Sequence, residues 1–321
     1  MMDLILKVLR FAAISGGIYL AIAGVLILSQ WPVGKIEGKG LAFEKMVLDH
    51  AAIKPEKYTA RDGTKMNVRV RAGNGSLVVI VHGSGGHGGG YDWLAEQINL
   101  TGAEVLVPDL RGHFGADGRR GDVDYIGQYE DDLADLIANY GSDGQKVVMV
   151  GHSSGGGLVT RFANGKHAEM LDGAVLLAPF LKYNAPTMRE NAGGWGRVLT
   201  RRMIGLSMLN NVGITLANEA TVLEFNLPEG PLAKTMTAAY SYRLNTSYAP
   251  RADYLADIAA LPKFQLIVGA DDEAFRAQEY EPLMTGATDK GSYYVLDGVS
   301  HLDVFLQDQT AALIAEFLNG V

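Results

Sequence analysis

Residues 146–157 read "KVVMVGHSSGGG". The first half has the β-branched, apolar character of a buried strand, and the second half is a small, polar, glycine-rich turn. Glycines at such a place permit close backbone approach, which a tight strand-to-helix connection would need on its own account. The same letters also fit Gly-x-Ser-x-Gly, the sharp turn that lifts a nucleophilic serine out of a sheet, with Ser153 at its centre. In a chain of 321 residues with 40 glycines the match alone has little specificity. The role of Ser153 therefore depends on what surrounds it.

Outward from this stretch, apolar strand candidates recur: "LVVIVHG" (77–83), "AEVLVPD" (103–109), "GAVLLAP" (173–179), "FQLIVGA" (264–270) and "SYYVLDG" (292–298). Between them "YDWLAEQINL", "YIGQYEDDLADLIANY" and "GGLVTRFANG" carry apolar residues at helical spacing. Continuous Val/Ile/Leu strands separated by helices predict an α/β fold, a mostly parallel, doubly wound sheet covered on both faces. "KYTARDGTKMNVRVRA" (57–72) predicts a leading hairpin turning at Asp62-Gly63. Residues 181–261 interrupt the rhythm with no clear sheet strand, and a structureless loop of that length is improbable. They are expected to form a helical cap inserted over the sheet's active edge, in which Met203, Ile204, Leu206, Met208 and Leu209 either line an acyl-binding pocket above Ser153 or pack the cap's own small core. The core is thereby split into 35–180 and 262–321, with residues 35–56 as a connector.

A serine hydroxyl needs a base to take its proton and an acid to orient that base. Catalytic groups in doubly wound sheets sit beyond the carboxyl ends of strands. His301 follows the "SYYVLDG" strand, in "GVSHLDVF", and "VGADDEAF" (268–275) ends the strand before it with Asp271, Asp272 and Glu273. The offset of three from Gly269 favours Asp272 as the acid, with Asp271 as the alternative. His152, inside the turn itself, is read as a packing residue. Stabilising a developing oxyanion takes two backbone N–H groups. The Ser154 N–H after the nucleophile and the Ser84 N–H in "HGSGGHGGG" (82–90) are the candidates.

That glycine loop has a rival reading. Residues 83–88 satisfy Gly-x-Gly-x-x-Gly after a strand, and Asp109 ends the next strand where a ribose-binding acid is expected. The dinucleotide reading places the loop after a hairpin rather than a first strand, and it gives no task to Ser153, Asp272 and His301. The oxyanion reading uses all of these loops for one chemistry, which calls for no metal and no cofactor.

The N-terminus differs in kind. Positions 11–34, "FAAISGGIYLAIAGVLILSQWPVG", hold no charged residue. As a helix this run measures roughly 36 Å, against about 30 Å for a bilayer core. Lys7 and Arg10 precede it and Trp31 lies near its end. Residues 1–34 are thus expected to be a single-pass transmembrane anchor that leaves the catalytic domain outside the cytoplasm, on the periplasmic or extracellular side. A cleaved signal peptide, cut after Ala21-Ile22-Ala23, is the competing reading. Hydrophobic residues at 48% and charged ones at 20% describe a globular chain. The net charge of −8, with no basic run, argues against a nucleic-acid partner. The absence of cysteine excludes thiol catalysis, thiolate-bound zinc and disulfides.

With these pieces in place, residues from about 57 onward resemble the α/β-hydrolase superfamily, and more narrowly the bacterial lysophospholipase, monoacylglycerol lipase and serine aminopeptidase-like group. The resemblance rests on "VHGSGGHGGGYDWLA", "VLVPDLRGHFG", "VGHSSGGGLVTRFA", "LIVGADDEAF" and "GVSHLDVF". "PDLRGHF" departs from the group's usual Arg-Gly-His-Gly run. The resemblance implies ester or amide cleavage through an acyl-Ser153 intermediate. A carboxylic ester, small or lipid-like, is the expected substrate. A peptidase or amidase, or an idle membrane-tethered binding protein on the same scaffold, are the alternatives.

Overall fold

The computed structural model of the protein describes residues 1–31, 41, 53–190 and 194–321. Most of the expected connector over 35–56 lies outside these residues. Helix α1 (Met2–Leu28) comes first and is exposed over most of its surface. It is long and apolar enough to cross a membrane, a test of length and composition that a signal sequence also passes.

The hairpin forms as expected, from β1 (Glu56–Thr59) and β2 (Lys65–Arg71), with Gly63 at φ 85° in its turn. There follow β3 (Leu77–Val81), α2 (Asp92–Asn99), β4 (Glu104–Pro108), α3 (Gln128–Tyr140), β5 (Val147–His152), α4 (Ser154–Ala163) and β6 (Gly173–Leu177). After the inserted segment come β10 (Lys263–Gly269), α9 (Tyr280–Thr285), β11 (Gly291–Leu296) and α10 (Asp308–Leu318). The strands join in the order β1-β2-β4-β3-β5-β6-β10-β11, antiparallel at the β1-β2-β4 edge and parallel from β4 onward. Every residue of β3, β5 and β6 is buried, which is why these strands read as unbroken apolar runs; edge strand β11 is partly exposed over all but its last residue. Each fully buried Val, Leu or Ile contributes about 1.5–3 kcal/mol of burial. The sheet centre is therefore the rigid base from which the loops project.

The inserted segment departs from the helical expectation. It contains β7 (Gly196–Val198), α5 (Thr200–Asn211), β8 (Thr221–Phe225), α6 (Pro231–Thr235), β9 (Ala239–Ser241), α7 (Tyr242–Tyr248) and α8 (Tyr254–Ala260). Strands β7, β8 and β9 pair antiparallel into a small second sheet. Two of them have three residues each, too short for an alternating pattern to register in the sequence. Helix α8 packs on α4 of the main layer.

Candidate active site

The 146–157 stretch folds as a strand, a one-residue turn and a helix. Ser153 occupies the turn with φ 53° and ψ −120°, a positive φ that L-residues rarely adopt. Such a residue costs on the order of 1–3 kcal/mol and persists only where its surroundings fix it. They do so on both sides: its N–H donates to the Leu177 carbonyl at 2.9 Å, and its carbonyl accepts the Phe180 N–H at 2.9 Å. The glycines have a separate cause. A Cβ at Gly155 would collide with the Val81 carbonyl, so only glycine lets α4 start this close to β3.

Ser153, His301 and Asp272 come together from three loops at the carboxyl ends of β5, β11 and β10. The Ser153 hydroxyl lies 3.0 Å from His301 Nε2, and His301 Nδ1 lies 2.8 Å from Asp272 Oδ2. The other Asp272 oxygen accepts the Ala274 and Phe275 N–H groups at 2.8 and 2.7 Å. Arg189 donates to the Asp272 and Phe275 carbonyls, bracing this loop from outside. Asp271 points to solvent, its N–H held by the Val299 carbonyl. Burial disfavours the charged form of His301, but the negative charges of Asp272 and Glu273 outweigh it and raise the imidazole above its ordinary value. Glu273 also accepts the His301 backbone N–H at 2.8 Å.

Ser84 and Ser154 meet across the same cleft, their hydroxyls 2.6 Å apart. Among the described residues, neither backbone N–H donates to another protein group. Ser154 is the first residue of α4, so the positive end of that helix faces the cleft. The cleft is lined by Ser84, Ser153 and His301 together with Trp195, Leu232, Met236, Leu302 and Phe305.

Two further groups hold the glycine loop, and neither was read from the sequence. The Gly83 N–H donates to the Tyr91 hydroxyl at 3.1 Å, and that hydroxyl lies 2.8 Å from His152 Nδ1. His152 Nε2 lies 3.0 Å from the His301 carbonyl, which can only accept, so Nε2 carries the proton and Nδ1 accepts from Tyr91. Burial pushes His152 well below the usual histidine range, in keeping with this neutral form. The residue read as packing is a strut between the glycine loop and His301. A parallel strut runs into the insertion: the Gly85 N–H donates to the Tyr240 hydroxyl at 2.6 Å, and Tyr240 donates to His113 Nε2 at 2.6 Å. Burial lowers His113 as well, and its Nδ1–H points to the Arg111 carbonyl at 3.1 Å. Of these partners Tyr240 alone falls in a stretch of marked composition, with tyrosines at 240, 242, 248 and 254.

The rival motif dissolves in this geometry. Asp109 is buried, accepting from Arg69 and from the Gly88 N–H, at 2.8 and 2.9 Å. Its carboxylate ties down the glycine loop and is not free to meet a ribose.

Fold and loop arrangement define an α/β-hydrolase. The chain matches the family described as "Serine aminopeptidase, S33" across residues 74–305, well over half its length, and belongs to that family. The monoglyceride lipase homolog of Monkeypox virus is 31% identical over 112 residues, 34% of this chain and 40% of that protein. The monoacylglycerol lipase of Mycolicibacterium smegmatis is 32% identical over 85 residues, 26% of this chain and 30% of that protein. These alignments thus span less than half of the curated relatives' lengths. Among solved structures, a soluble variant of monoglyceride lipase from Saccharomyces cerevisiae superposes with a TM-score of 0.64 at 15% identity, covering 86% of this chain and 98% of that one. A putative aryl esterase from Burkholderia cenocepacia gives 0.58 at 18%, covering 83% and 98%.

Proposed function

We propose that the protein is a serine hydrolase that cleaves a carboxylic ester, with a lipid-like acyl ester as the preferred class. The observation that carries this reading is the continuous hydrogen-bonded chain from Ser153 through His301 to Asp272 at the floor of the cleft. Ser153 Oγ attacks the ester carbonyl while its proton passes to His301 Nε2. The tetrahedral oxyanion is held by the Ser84 and Ser154 N–H groups. His301 then protonates the departing alcohol, and water, activated by the same imidazole, releases the acid from Ser153. Asp272, fixed by two backbone N–H groups, keeps the imidazole in the required tautomer and stabilises the imidazolium.

An ester is favoured over an aminopeptide substrate by the lining of the cleft. Among the described residues around it there is no Asp or Glu to receive a free ammonium group. Trp195, Leu232, Met236, Leu302 and Phe305 suit an acyl chain instead. Two relatives that bear lipase names act as a further support for a lipid-like ester. The segment over 181–261 serves as the cap that contributes three of these apolar side chains.

In this reading α1 is an uncleaved single-pass anchor, and Lys7 and Arg10 on its amino side keep that end cytoplasmic and the catalytic domain outside. The test is a fluorophosphonate probe followed by a panel of acyl esters and aminoacyl amides. Labelling that vanishes in Ser153→Ala, with turnover of esters and not of amides, supports the proposal. Labelling that survives the substitution removes Ser153 as the nucleophile.

A further inference from the structure

Helix α1 does not leave the protein as a free tether. Its second half lies antiparallel along α5, the main helix of the inserted segment. Tyr19 donates to the Met208 carbonyl at 2.9 Å, Gly205 lies directly against the Ala23 carbonyl and Ile27, and Arg202 donates to the Gln30 carbonyl at 2.8 Å. Gln30 Oε1 returns the contact by accepting the Arg202 N–H at 2.9 Å, and the guanidinium sits over the Trp31 ring. The side chains of α1 that are covered, Tyr19, Ala23, Leu26 and Ile27, repeat at helical spacing and Gln30 follows just beyond the helix, whereas positions 2–18 are exposed.

Lengths then constrain where α5 must be. The uncharged part of α1, positions 11–28, amounts to about 27 Å of helix, against about 30 Å for a bilayer core. Of these, positions 11–18 stand clear of the protein and supply only about 12 Å. The docked half must supply the rest, and α5 accompanies it. The sequence of the insertion agrees. From Met203 to Asn218, "MIGLSMLNNVGITLAN", there is no charge, with Arg201, Arg202 and Glu219 flanking the run. From Arg202 to Asn211, α5 descends about 14 Å, close to the depth of one leaflet. Ile204, Val212 and Leu216 are exposed on this excursion. Three of its polar side chains are matched internally: Asn210 and Asn218 exchange amide hydrogen bonds at 2.7 and 2.9 Å and Ser207 donates to the Met203 carbonyl at 2.8 Å, as a medium poor in water favours, while Asn211 and Thr215 at the turn are exposed.

We infer that α5 and the turn after it are immersed in the outer leaflet beside α1, with lipid acyl chains covering Ile204, Val212 and Leu216, and that the α1–α5 contact sets this depth. The inference rests on the anchored reading of α1. It also gives a task to the apolar residues of α5. For Met203, Ile204, Leu206, Met208 and Leu209 the sequence allows an acyl pocket above Ser153 or the cap's own core, and none of them lines the cleft. Leu206 is instead buried with Val222 and Tyr242, against Ile27 of α1.

Because the chain has no cysteine, single replacements can be labelled uniquely. The full chain, in phosphatidylcholine–phosphatidylglycerol vesicles, would carry an environment-sensitive nitrobenzoxadiazole label at Ile204→Cys, Leu216→Cys, Ile18→Cys or Leu100→Cys. Quenching by lipid bearing a doxyl group on its acyl chain is then measured. The expected result is quenching at 204, 216 and 18 that exceeds the value at 100 several-fold. Quenching at 18 but not at 204 and 216 overturns the immersion while leaving the anchor intact. No quenching at 18 removes the anchor and the inference with it. A blue-shifted, unquenched signal at 204 that depends on protein density assigns the face to a second copy of the chain and overturns the inference. Ala23→Leu, and separately Gly205→Leu, should prise the helices apart, lowering quenching at 204 several-fold with that at 18 retained. Unchanged quenching at 204 in both variants shows that the contact does not set the depth.

Discussion

The Tyr240 hydroxyl, carried on a three-residue strand of the insertion, takes the Gly85 N–H at 2.6 Å one residue after Ser84. The loop that would offer one oxyanion donor is therefore held by a residue more than 150 positions away in the chain. His113 completes the contact by accepting the tyrosine proton, which fixes the direction of the hydroxyl.

Tyr240→Phe keeps the ring and removes this hold. It leaves a buried N–H and a buried imidazole nitrogen without partners, at about 1–3 kcal/mol each before relaxation. The expected outcome is a lower melting temperature and a fall in kcat with KM for a short ester little changed, because a donor that serves the transition state is displaced. The fall should stay below the roughly 10²–10³-fold of outright donor loss. Thermal unfolding and initial-rate kinetics read the two effects separately. A purely structural role would lower stability and leave kcat per folded molecule as it was.

Asp272 and Asp271 differ in environment more than in sequence. Asp272 is buried against His301, and Asp271 faces water. Asp272→Asn should cost on the order of 10⁴-fold in kcat, the scale seen when a triad acid is neutralised, and Asp271→Asn little. Steady-state rates of the two variants settle the ranking, and the reverse order would transfer the role to Asp271.

The same substitution has a pH signature. His301 is raised above its ordinary value of 6.5, burial opposing and Asp272 leading the groups that raise it. The base must be neutral to act, so kcat/KM in the wild type should fall with acid on a limb above pH 6.5. In Asp272→Asn burial prevails and the limb of the residual activity should move to lower pH. Stability follows the same linkage. A histidine raised in the folded state contributes stability that is complete below its unfolded value and lost as pH climbs through the folded one. The stability gap between wild type and Asp272→Asn should therefore be wider at pH 5.5 than at pH 8.5, measured by denaturant titration.

How far the sequence disclosed this arrangement depended on the kind of contact. Ser153, His301 and Asp272 follow apolar strands whose ends are marked by glycine, so position along a strand translates directly into position at the sheet edge. The wide spacing of residues 84, 153, 272 and 301 was no obstacle, because the parallel sheet brings strand ends together. The struts were not legible. Tyr91, His113 and Tyr240 act through hydroxyl and imidazole contacts whose partners depend on loop paths, and no periodicity encodes a loop path. The role of α5 stayed open in the sequence for a related reason. Apolar spacing identifies a face that is covered without saying by what, and the cover proved to be α1 rather than a substrate cavity.

The elbow glycine offers a test of why the 146–157 stretch has its composition. A Cβ at Gly155 would meet the backbone carbonyls of Val81 and His82, atoms fixed in the central strand β3 and its exit. No flexible side chain is available to yield. Gly155→Ala should destabilise the fold by roughly 1–3 kcal/mol as an overpacked core does, and shift Ser153 relative to His301. Activity should fall more than stability explains. Gly144→Ala, in an open turn at φ 75° with nothing near its Cβ, is the control: it incurs backbone strain but should leave kcat untouched.

The cleft walls set the last expectation. Trp195, Leu232 and Met236 come from the insertion, and Leu302 and Phe305 from the loop after β11, so an acyl chain bound over Ser153 would be enclosed from two sides. Each methylene removed from water there is worth about 0.8 kcal/mol, which corresponds to roughly fourfold in kcat/KM if the transition state retains the contact. Across p-nitrophenyl esters from acetate upward, kcat/KM should climb by that factor per added methylene until the cleft is filled, then level. Trp195→Ala should flatten the slope, since the ring stacks on Phe225 and forms part of the wall. Leu209→Ala, on the α5 helix and away from the cleft, should leave the slope unchanged. A flat series in the wild type, or a maximum at acetate, would remove the acyl chain from the proposal and leave a small-ester hydrolase. A slope lost in Leu209→Ala and kept in Trp195→Ala would return the acyl site to α5.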